Sequence, residues 1–140
     1  MLNLSFQPLE TEVLKYLLDG ESSVLETLRK QLSLCGIKSR EYTGVGFYLN
    51  FTPPTDHPKL HEVMNVKPRF CFGDVEVIFK IGNRQQEVGF LLWIDGGFLE
   101  CLEGYAYGDE KWPVIFDEFQ VHYFTNNRRN LVELERSWRQ

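Results

Sequence analysis

The chain has 140 residues, of which 43% are apolar, 14% are aromatic and 25% are charged. This length and composition are typical of one packed domain spanning residues 1–140, and they exclude a disordered chain or two ordinary cores. The 15 basic and 20 acidic residues give a net charge of −5, which argues against a nucleic-acid-binding protein.

The sequence carries no signal for a membrane or for export. No stretch approaches the roughly 20 consecutive apolar residues that a spanning helix needs. Residues 1–6 lack the basic and apolar regions of a secretory signal. The three cysteines, Cys35, Cys71 and Cys101, are far apart and odd in number, so neither a disulfide framework nor a zinc ribbon is indicated. We therefore expect a cytoplasmic protein with reduced thiols.

Two helices open the chain. Pro8 suits the first turn of a helix, and apolar residues recur at helical spacing until Gly20. Ser23 followed by Glu26 is typical of a capping box at the start of a second helix, which Gly36 ends. Because the connection is only about two residues long, we predict an antiparallel helical hairpin. Both of its apolar stripes need a partner surface, which a sheet would provide.

Alternating apolar residues predict that sheet. We predict strands at residues 42–51, 75–81, 88–94 and 98–107. The sequence Asp95-Gly96-Gly97 predicts a hairpin between the last two. Residues 114–124 would add a fifth strand or a short helix, and residues 126–140 a polar helix or a frayed tail. The predicted class is α+β, with the N-terminal hairpin packed on one face of a four- to five-stranded, mostly antiparallel sheet.

One connection is unusually long. Residues 52–68 contain four prolines and exceed the length of most loops. Such a segment is either functional or simply mobile.

The predicted sheet has a second face that the helices do not cover. With a two-residue turn at residues 96–97, strand parity puts Trp93 opposite Glu100 on this face and turns Cys101 toward the helices. Parity assigns to the same face Tyr42, Gly44, Gly46, Tyr48, Ile78, Lys80, Gly89, Leu91, Phe98 and Leu102. A three-residue turn would instead bring Leu99, Cys101 and Glu103 there.

Such a face would be an unusually large apolar patch for a monomer. Three explanations are open: cover by the C-terminal segment, a dimer or partner surface, or a small-molecule cleft floored by the glycines. The aromatic residues that would form the cover are Phe116, Phe119, Tyr123 and Trp138.

Acidic residues concentrate in residues 95–118, which hold seven acids against one lysine. Aromatic residues are interleaved with them. This combination suits a basic protein partner, because charge steers the encounter and aromatic side chains anchor it. The alternative is a solvated segment whose charges only keep the protein soluble. The predicted partner-binding residues are Tyr42, Tyr48, Trp93, Glu100, Tyr105, Tyr107, Asp109, Glu110 and Trp112.

No catalytic or metal-binding pattern stands out. His57 and His61 are four residues apart, but Pro58 restricts any helix there and the carboxylate of the zinc-protease motif is missing. Glu100 and Glu103 differ in parity, so a regular strand sends them to opposite faces unless a bulge intervenes. No nucleophile elbow, phosphate loop or dinucleotide motif occurs. We therefore predict no catalytic residues, no metal and no cofactor.

Three segments carry a family resemblance: residues 39–47 (SREYTGVGF), 95–105 (DGGFLECLEGY) and 108–113 (GDEKWP). Together they resemble small bacterial α+β proteins whose relatives include immunity proteins of polymorphic toxin systems. The resemblance covers residues 38–113. It implies a cytoplasmic protein that binds and neutralises a cognate toxin without catalysis, and it assigns no site residues.

The resulting prediction is a non-enzymatic protein-binding module, which the resemblance extends to an immunity-type protein. The predicted partner is a basic, toxin-like protein or a second copy of the chain, so a homodimer is one form of this prediction; nucleic acid and membranes are not expected partners. The alternative is a small-molecule-binding protein or hydrolase with a cleft lined by Tyr42, Tyr48, Trp93 and Glu100.

Overall fold

A computed structural model describes residues 5–125 and 128–140. These residues form an α+β fold, as predicted. Its elements, in chain order, are α1 (Pro8–Leu17), α2 (Ser23–Leu34), β1 (Gly36–Tyr42), β2 (Gly46–Thr52), α3 (Leu60–Val63), β3 (Phe70–Phe72), β4 (Val75–Ile81), β5 (Arg84–Asp95), β6 (Phe98–Ala106), β7 (Glu118–Tyr123) and α4 (Leu131–Trp138). The predictions for residues 1–6 and 126–140 fall partly on residues outside this description.

The first helix begins where the sequence predicts, but the second is capped by Ser22 and not by Ser23, so the predicted capping box of Ser23 and Glu26 is wrong by one residue. Pro8 opens α1, and α2 starts at Ser23, one residue after its N-cap. The Oγ of that cap residue, Ser22, accepts a hydrogen bond from the backbone N–H of Leu25 at 3.4 Å. Within the described residues, no helix is both long and apolar enough to cross a membrane.

The sheet is larger than predicted. Its strand order is β1-β2-β6-β5-β4-β7, with β3 also paired to β5, and every pairing among the described strands is antiparallel. Seven strands therefore replace the predicted four to five, because β1 and β3 had not been predicted as strands of their own. The strands β3 and β4 pair with successive parts of β5, and Gly73 and Asp74 separate them.

The first hairpin corrects one sequence prediction. The single strand predicted over residues 42–51 is the end of β1, a turn and β2. Gly44 has a φ of +92° in that turn, a conformation that favours glycine. Because the chain reverses there, Tyr42 pairs with Phe47 and shares its face. Tyr42 therefore lies on the helix side, its ring 5.9 Å from that of Phe47, and not on the second face.

A β-bulge in β6 corrects another prediction. The turn lies at residues 96–97 as predicted, but Trp93 pairs with Cys101, and Glu100 is the extra residue. A bulge sets two residues opposite one and so reverses the parity of the strand beyond it. Leu102 is therefore buried in the core, whereas Cys101 shares the face of Trp93. Both residues lie on the side opposite to the predicted one.

Polar side chains fix how the helices sit on the sheet. The helix α1 contacts β4 and β7, and α2 contacts β6. Gln31 of α2 is fully buried; its Nε2 donates to the carbonyl of Gly97 at 2.9 Å and its Oε1 accepts from the N–H of Leu99 at 3.0 Å. Glu10 of α1, 1% exposed, accepts two hydrogen bonds of 2.7 Å from Arg40 of β1. These contacts join each helix to a defined strand or turn.

The C-terminal segment packs on the same side as the helices. The fully buried ring of Trp138 in α4 lies 5.9 Å from that of Phe70 and 5.0 Å from that of Phe72. Both partners belong to β3 and pair with core residues of β5. The other aromatic residues proposed as a cover also contact or pair with core residues on this side: Phe116, Phe119 and Tyr123. The C-terminal segment therefore does not cover the second face through these residues.

The long connection over residues 52–68 contributes to the core. It contains α3, and both Leu60 and Val66 are buried. The N–H of Leu60 donates to the carbonyl of Gly97 at 3.0 Å, and the N–H of Gly97 donates to the carbonyl of Pro68 at 3.2 Å. The connection is thus fastened to the turn between β5 and β6.

Candidate functional site

The sheet face opposite the helices, which we call the open face, is the candidate functional surface. Strand register sets its composition, because directly paired residues share a face. Tyr48 pairs with Glu103, Glu103 with Leu91, and Trp93 with both Cys71 and Cys101. The side chains of Tyr48, Trp93 and Glu103 are half-buried. The open face is thus aromatic and carries a central carboxylate.

A depression of about 370 Å³ lies on this face around Trp93. We call it the Trp93 pocket. Its lining residues are Glu41, Tyr48, Asn50, Arg69, Trp93, Glu100, Cys101 and Glu103. Three carboxylates and one guanidinium leave the lining with a formal charge of −2. The pocket therefore combines aromatic walls with an excess of negative charge.

Glu103 holds the two aromatic walls together. Its Oε1 accepts a hydrogen bond from the indole Nε1 of Trp93 at 2.9 Å. Its Oε2 accepts one from the hydroxyl of Tyr48 at 3.2 Å. Both donors are neutral, and among the described residues no lysine, arginine or histidine nitrogen lies within 4.0 Å of this carboxylate. Glu103 is therefore an oriented carboxylate whose charge is not matched by a contacting cation.

Arg69 lies over the other wall. Its guanidinium carbon is 4.6 Å from the ring centroid of Trp93, within the range of a cation–π contact. Its Nε lies 3.8 Å from a carboxylate oxygen of Asp95, and the two side chains are 58% and 50% exposed. A long ion pair between exposed groups is weak. Arg69 is thus seated on the tryptophan without being firmly bound there.

The ionisable groups of the pocket reflect its negative charge. The charge of Glu103 is the main cause that raises the pKa of Tyr48, followed by burial. Burial, followed by the charges of Glu100 and Glu103, raises the pKa of Cys101 to about 12. The thiol is therefore protonated and a poor nucleophile at neutral pH. The pocket favours a bound cation over a reacting anion.

A second polar cluster lies on the open face toward β4 and β7. Glu76 accepts a hydrogen bond from the hydroxyl of Tyr107 at 2.7 Å, and the Nε2 of His122 lies 3.0 Å from its other carboxylate oxygen. Burial and this hydrogen bond raise the pKa of Tyr107. The ring of Tyr105 lies 5.8 Å from that of Tyr107. Glu76 thus contacts a histidine ring nitrogen, whereas the two hydrogen-bond donors to Glu103 are a tyrosine hydroxyl and an indole N–H.

The glycines do not form the floor of a cleft. A Cβ built at Gly89 would come within 2.4 Å of the hydroxyl oxygen of Tyr105, so the tyrosine already fills the space above this glycine. Gly44 belongs to the turn between β1 and β2. The concave surface around Trp93 is instead built from side chains.

The predicted site residues separate into four groups. Tyr48, Trp93 and Glu100 meet in the Trp93 pocket, and Tyr105 and Tyr107 lie elsewhere on the open face. Asp109 and Glu110 are exposed in the turn after β6. Tyr42 and Trp112 lie on the helix side.

The predicted position of Trp112 is wrong. Its side chain is only 8% exposed, and its ring packs 5.1 Å from Phe47, 6.0 Å from Phe79 and 5.7 Å from Phe90. A tryptophan that follows a predicted acidic turn can look like a surface anchor in sequence. The segment after β6 instead returns over the core and buries it.

Two central residues of the pocket were not predicted. Glu103 reaches the open face because of the bulge at Glu100, which no residue pattern announces. Arg69 precedes β3, a strand too short for its alternation to be recognised. Two sequence alternatives bring Glu103 to this face: a three-residue turn before β6, and a bulge within β6. The structure has the bulge.

A metal centre has no support in the part of the chain that the structure describes. Among residues 5–125 and 128–140, no group of three or more histidine, cysteine, aspartate or glutamate side chains is placed to hold a metal ion.

A larger groove of about 750 Å³ lies along α1 and α2. Its Arg29 already donates to the carbonyls of Leu18 and Gly20. The Trp93 pocket is therefore the better candidate for recognition of a charged group.

No protein-family model, curated protein or solved structure shows a significant match to this chain.

Proposed function

We propose that the protein is a non-enzymatic binding module that engages a basic protein partner through the open face, centred on the Trp93 pocket. The main support is the oriented carboxylate of Glu103 between two aromatic side chains. Aromatic residues are enriched among the energetic anchors of interfaces, and uncompensated surface charge steers association with a partner of opposite sign. Both features occur here at one place.

The resemblance to immunity proteins suggests the kind of partner. An immunity-type protein would neutralise a basic toxin by covering it, which needs a surface and no catalytic group. The groups described in the pocket suit that role, because the oxygens of Glu103 are engaged by Trp93 and Tyr48 and the Cys101 thiol is protonated. A second copy of the chain remains the other partner within this proposal.

The proposal is tested by capture with matched charge reversals. The variant Glu41→Lys/Glu100→Lys reverses two exposed charges of the pocket, and Glu21→Lys/Asp56→Lys reverses two exposed charges that do not line it. Both change the net charge equally. We expect one basic polypeptide to be enriched from the source cell by the wild-type protein and by the second variant, but not by the first.

The interaction is then repeated with the purified pair. At low salt the association rate should be lowest for the pocket variant. The rates of the wild-type protein and of the second variant should fall as salt concentration rises, and the rate of the pocket variant should depend less on salt. Equal capture by all three proteins contradicts the proposal, and so does capture of no basic polypeptide by a protein that is monomeric in solution. Solution mass measured alongside tests the second-copy form, which predicts a dimer that the pocket variant weakens.

A small-molecule ligand is the competing function. The volume of about 370 Å³ falls at the lower end of the range of ligand pockets. Native mass spectrometry of the purified protein distinguishes the two. A tightly retained metabolite, lost in the variant Trp93→Ala, would favour the small-molecule function over the proposed one.

A further inference from the structure

Arg69 shows what kind of group the Trp93 pocket accepts. Its guanidinium already lies over the Trp93 ring at 4.6 Å. In the described structure its ion pair with Asp95 is long, at 3.8 Å, and its side chain is 58% exposed. A guanidinium held this loosely can leave the ring at little cost, so the ring face is accessible to another cation.

The carboxylates that line the pocket with the ring complete a binding site for such a cation. An ionised carboxylate offers about four acceptor positions, and Glu103 uses one on each oxygen for Trp93 and Tyr48. The exposed carboxylate of Glu100 also lines the pocket. A guanidinium suits this arrangement better than an ammonium, because it stacks flat on an aromatic ring and presents several donors in one plane.

We propose that the Trp93 pocket is a receptor for an arginine side chain of the partner, and that Arg69 is the chain's own competitor for it. This inference rests on the proposed function and specifies its chemistry. The partner's guanidinium stacks on Trp93 and donates to Glu103 and Glu100, while Arg69 moves away from the ring. The pocket selects arginine over lysine and over any neutral side chain of the same shape.

The test uses three short, blocked peptides that differ at one position, which is arginine, lysine or citrulline. Citrulline keeps the planar shape of arginine without its charge. Binding is followed by NMR through the indole N–H signal of Trp93, assigned from its absence in the variant Trp93→Phe. We expect the arginine peptide to shift this signal with saturation and the citrulline peptide to leave it unchanged.

Three variants separate the roles of the side chains. Arg69→Ala should bind the arginine peptide about 2- to 5-fold more tightly, because it removes the competing cation. Glu103→Gln should bind it about 10-fold or more weakly. Glu100→Gln, which changes an exposed side chain, should also weaken the binding of the arginine peptide. It therefore replaces Glu103→Gln if that variant fails to fold. Asp109→Asn removes one exposed acid outside the pocket and should change the affinity less than about 2-fold.

Equal shifts with all three peptides, or weaker binding by Arg69→Ala, would overturn the inference. This failure differs from failure of the proposed function. If a basic partner is captured through Glu41 and Glu100 but the arginine peptide does not bind, the proposed interface is supported and the proposed arginine-binding site is refuted. If the arginine peptide binds and no partner is captured, the arginine-binding site is supported and the proposed interface is not.

Discussion

Replacement of Gln31 by methionine tests whether the helical layer is held to the sheet by a few buried polar contacts. The glutamine side chain is fully buried and bridges α2 to the turn at residues 96–97. Methionine keeps its length, so the change removes the hydrogen bonds and leaves little cavity. The carbonyl of Gly97 retains its second donor, the N–H of Leu60 at 3.0 Å. The N–H of Leu99 loses its glutamine acceptor.

The expected loss follows from these contacts. A buried donor left without a partner costs about 1–3 kcal/mol, and a lost hydrogen bond with a satisfied acceptor costs about 0.5–1.5 kcal/mol. We therefore expect the variant Gln31→Met to lose about 2–4 kcal/mol of unfolding free energy. With a urea slope of about 2 kcal/mol/M, the midpoint of unfolding should fall by about 1–2 M while the slope stays constant.

Two further variants make the test specific. Lys30→Met places the same residue on the exposed side of α2, where the lysine side chain is 68% exposed, and should cost less than about 0.5 kcal/mol. Gln31→Glu keeps the acceptor for Leu99, but its ionised form cannot donate to Gly97. Burial should raise the pKa of that new carboxyl above its unfolded value of about 4.3.

The sign of the pH effect is then fixed. Since the folded pKa of the new carboxyl is the higher one, its contribution is present below about pH 4.3 and is lost as the pH rises through the folded pKa. The deficit of Gln31→Glu relative to wild type should therefore shrink on acidification from about pH 7 to about pH 5. A loss below about 0.5 kcal/mol for Gln31→Met, or a deficit of Gln31→Glu that does not change with pH, would refute this account.

The other predictions concern two buried ion pairs and the thiol of Cys101. Arg129→Met should lower the free energy of unfolding by about 1–3 kcal/mol. The guanidinium of Arg129 is 5% exposed and donates two hydrogen bonds, of 3.0 and 2.9 Å, to Asp74, which this variant removes. A double-mutant cycle with Asp74→Asn should show that the two losses are not additive. Glu10→Gln should cost about 2–4 kcal/mol in urea unfolding, because it leaves Arg40, whose side chain is 13% exposed, without its counter-charge; a loss under about 0.5 kcal/mol would contradict this. At pH 8 the thiolate fraction of Cys101 should be about 1,000-fold below that of a thiol with a pKa of 9.0. In a variant that keeps only this cysteine, a thiol reagent should therefore react very slowly with the folded protein. It should react at the normal rate with the unfolded protein. Because the pKa rises from 9.0 to about 12 on folding, the same group should contribute stability that is present below pH 9 and is lost toward pH 12, and Cys101→Ser should reduce that loss.

The elements that sequence reasoning located were those with local signals. The helices α1 and α2 follow from apolar spacing, and α1 also from Pro8; β4 spans the residues that alternation predicts. The turn at residues 96–97 follows from the glycine pair. Each of these signals depends on a few neighbouring residues, so tertiary contacts did not override it.

The errors arose where one residue changed the parity of a strand. The apolar alternation over residues 42–51 continues through a turn, because the chain reverses direction at Gly44 while the apolar pattern does not change. Tyr42 was consequently assigned to the wrong face. Trp112 was misplaced for a different reason, since its burial depends on how the segment after β6 returns over Phe47 and Phe90. Such long-range packing has no local sequence signal.

The bulge at Glu100 has a consequence for how this surface can diversify. Deletion of that single residue would restore regular pairing in β6 while leaving Leu102 in the interior and Glu103 outward. One codon gained or lost would thus add or subtract a carboxylate beside Trp93 with every interior side chain left in place. Position 100 is thus a point where the charge of the open face can change without a change in the core.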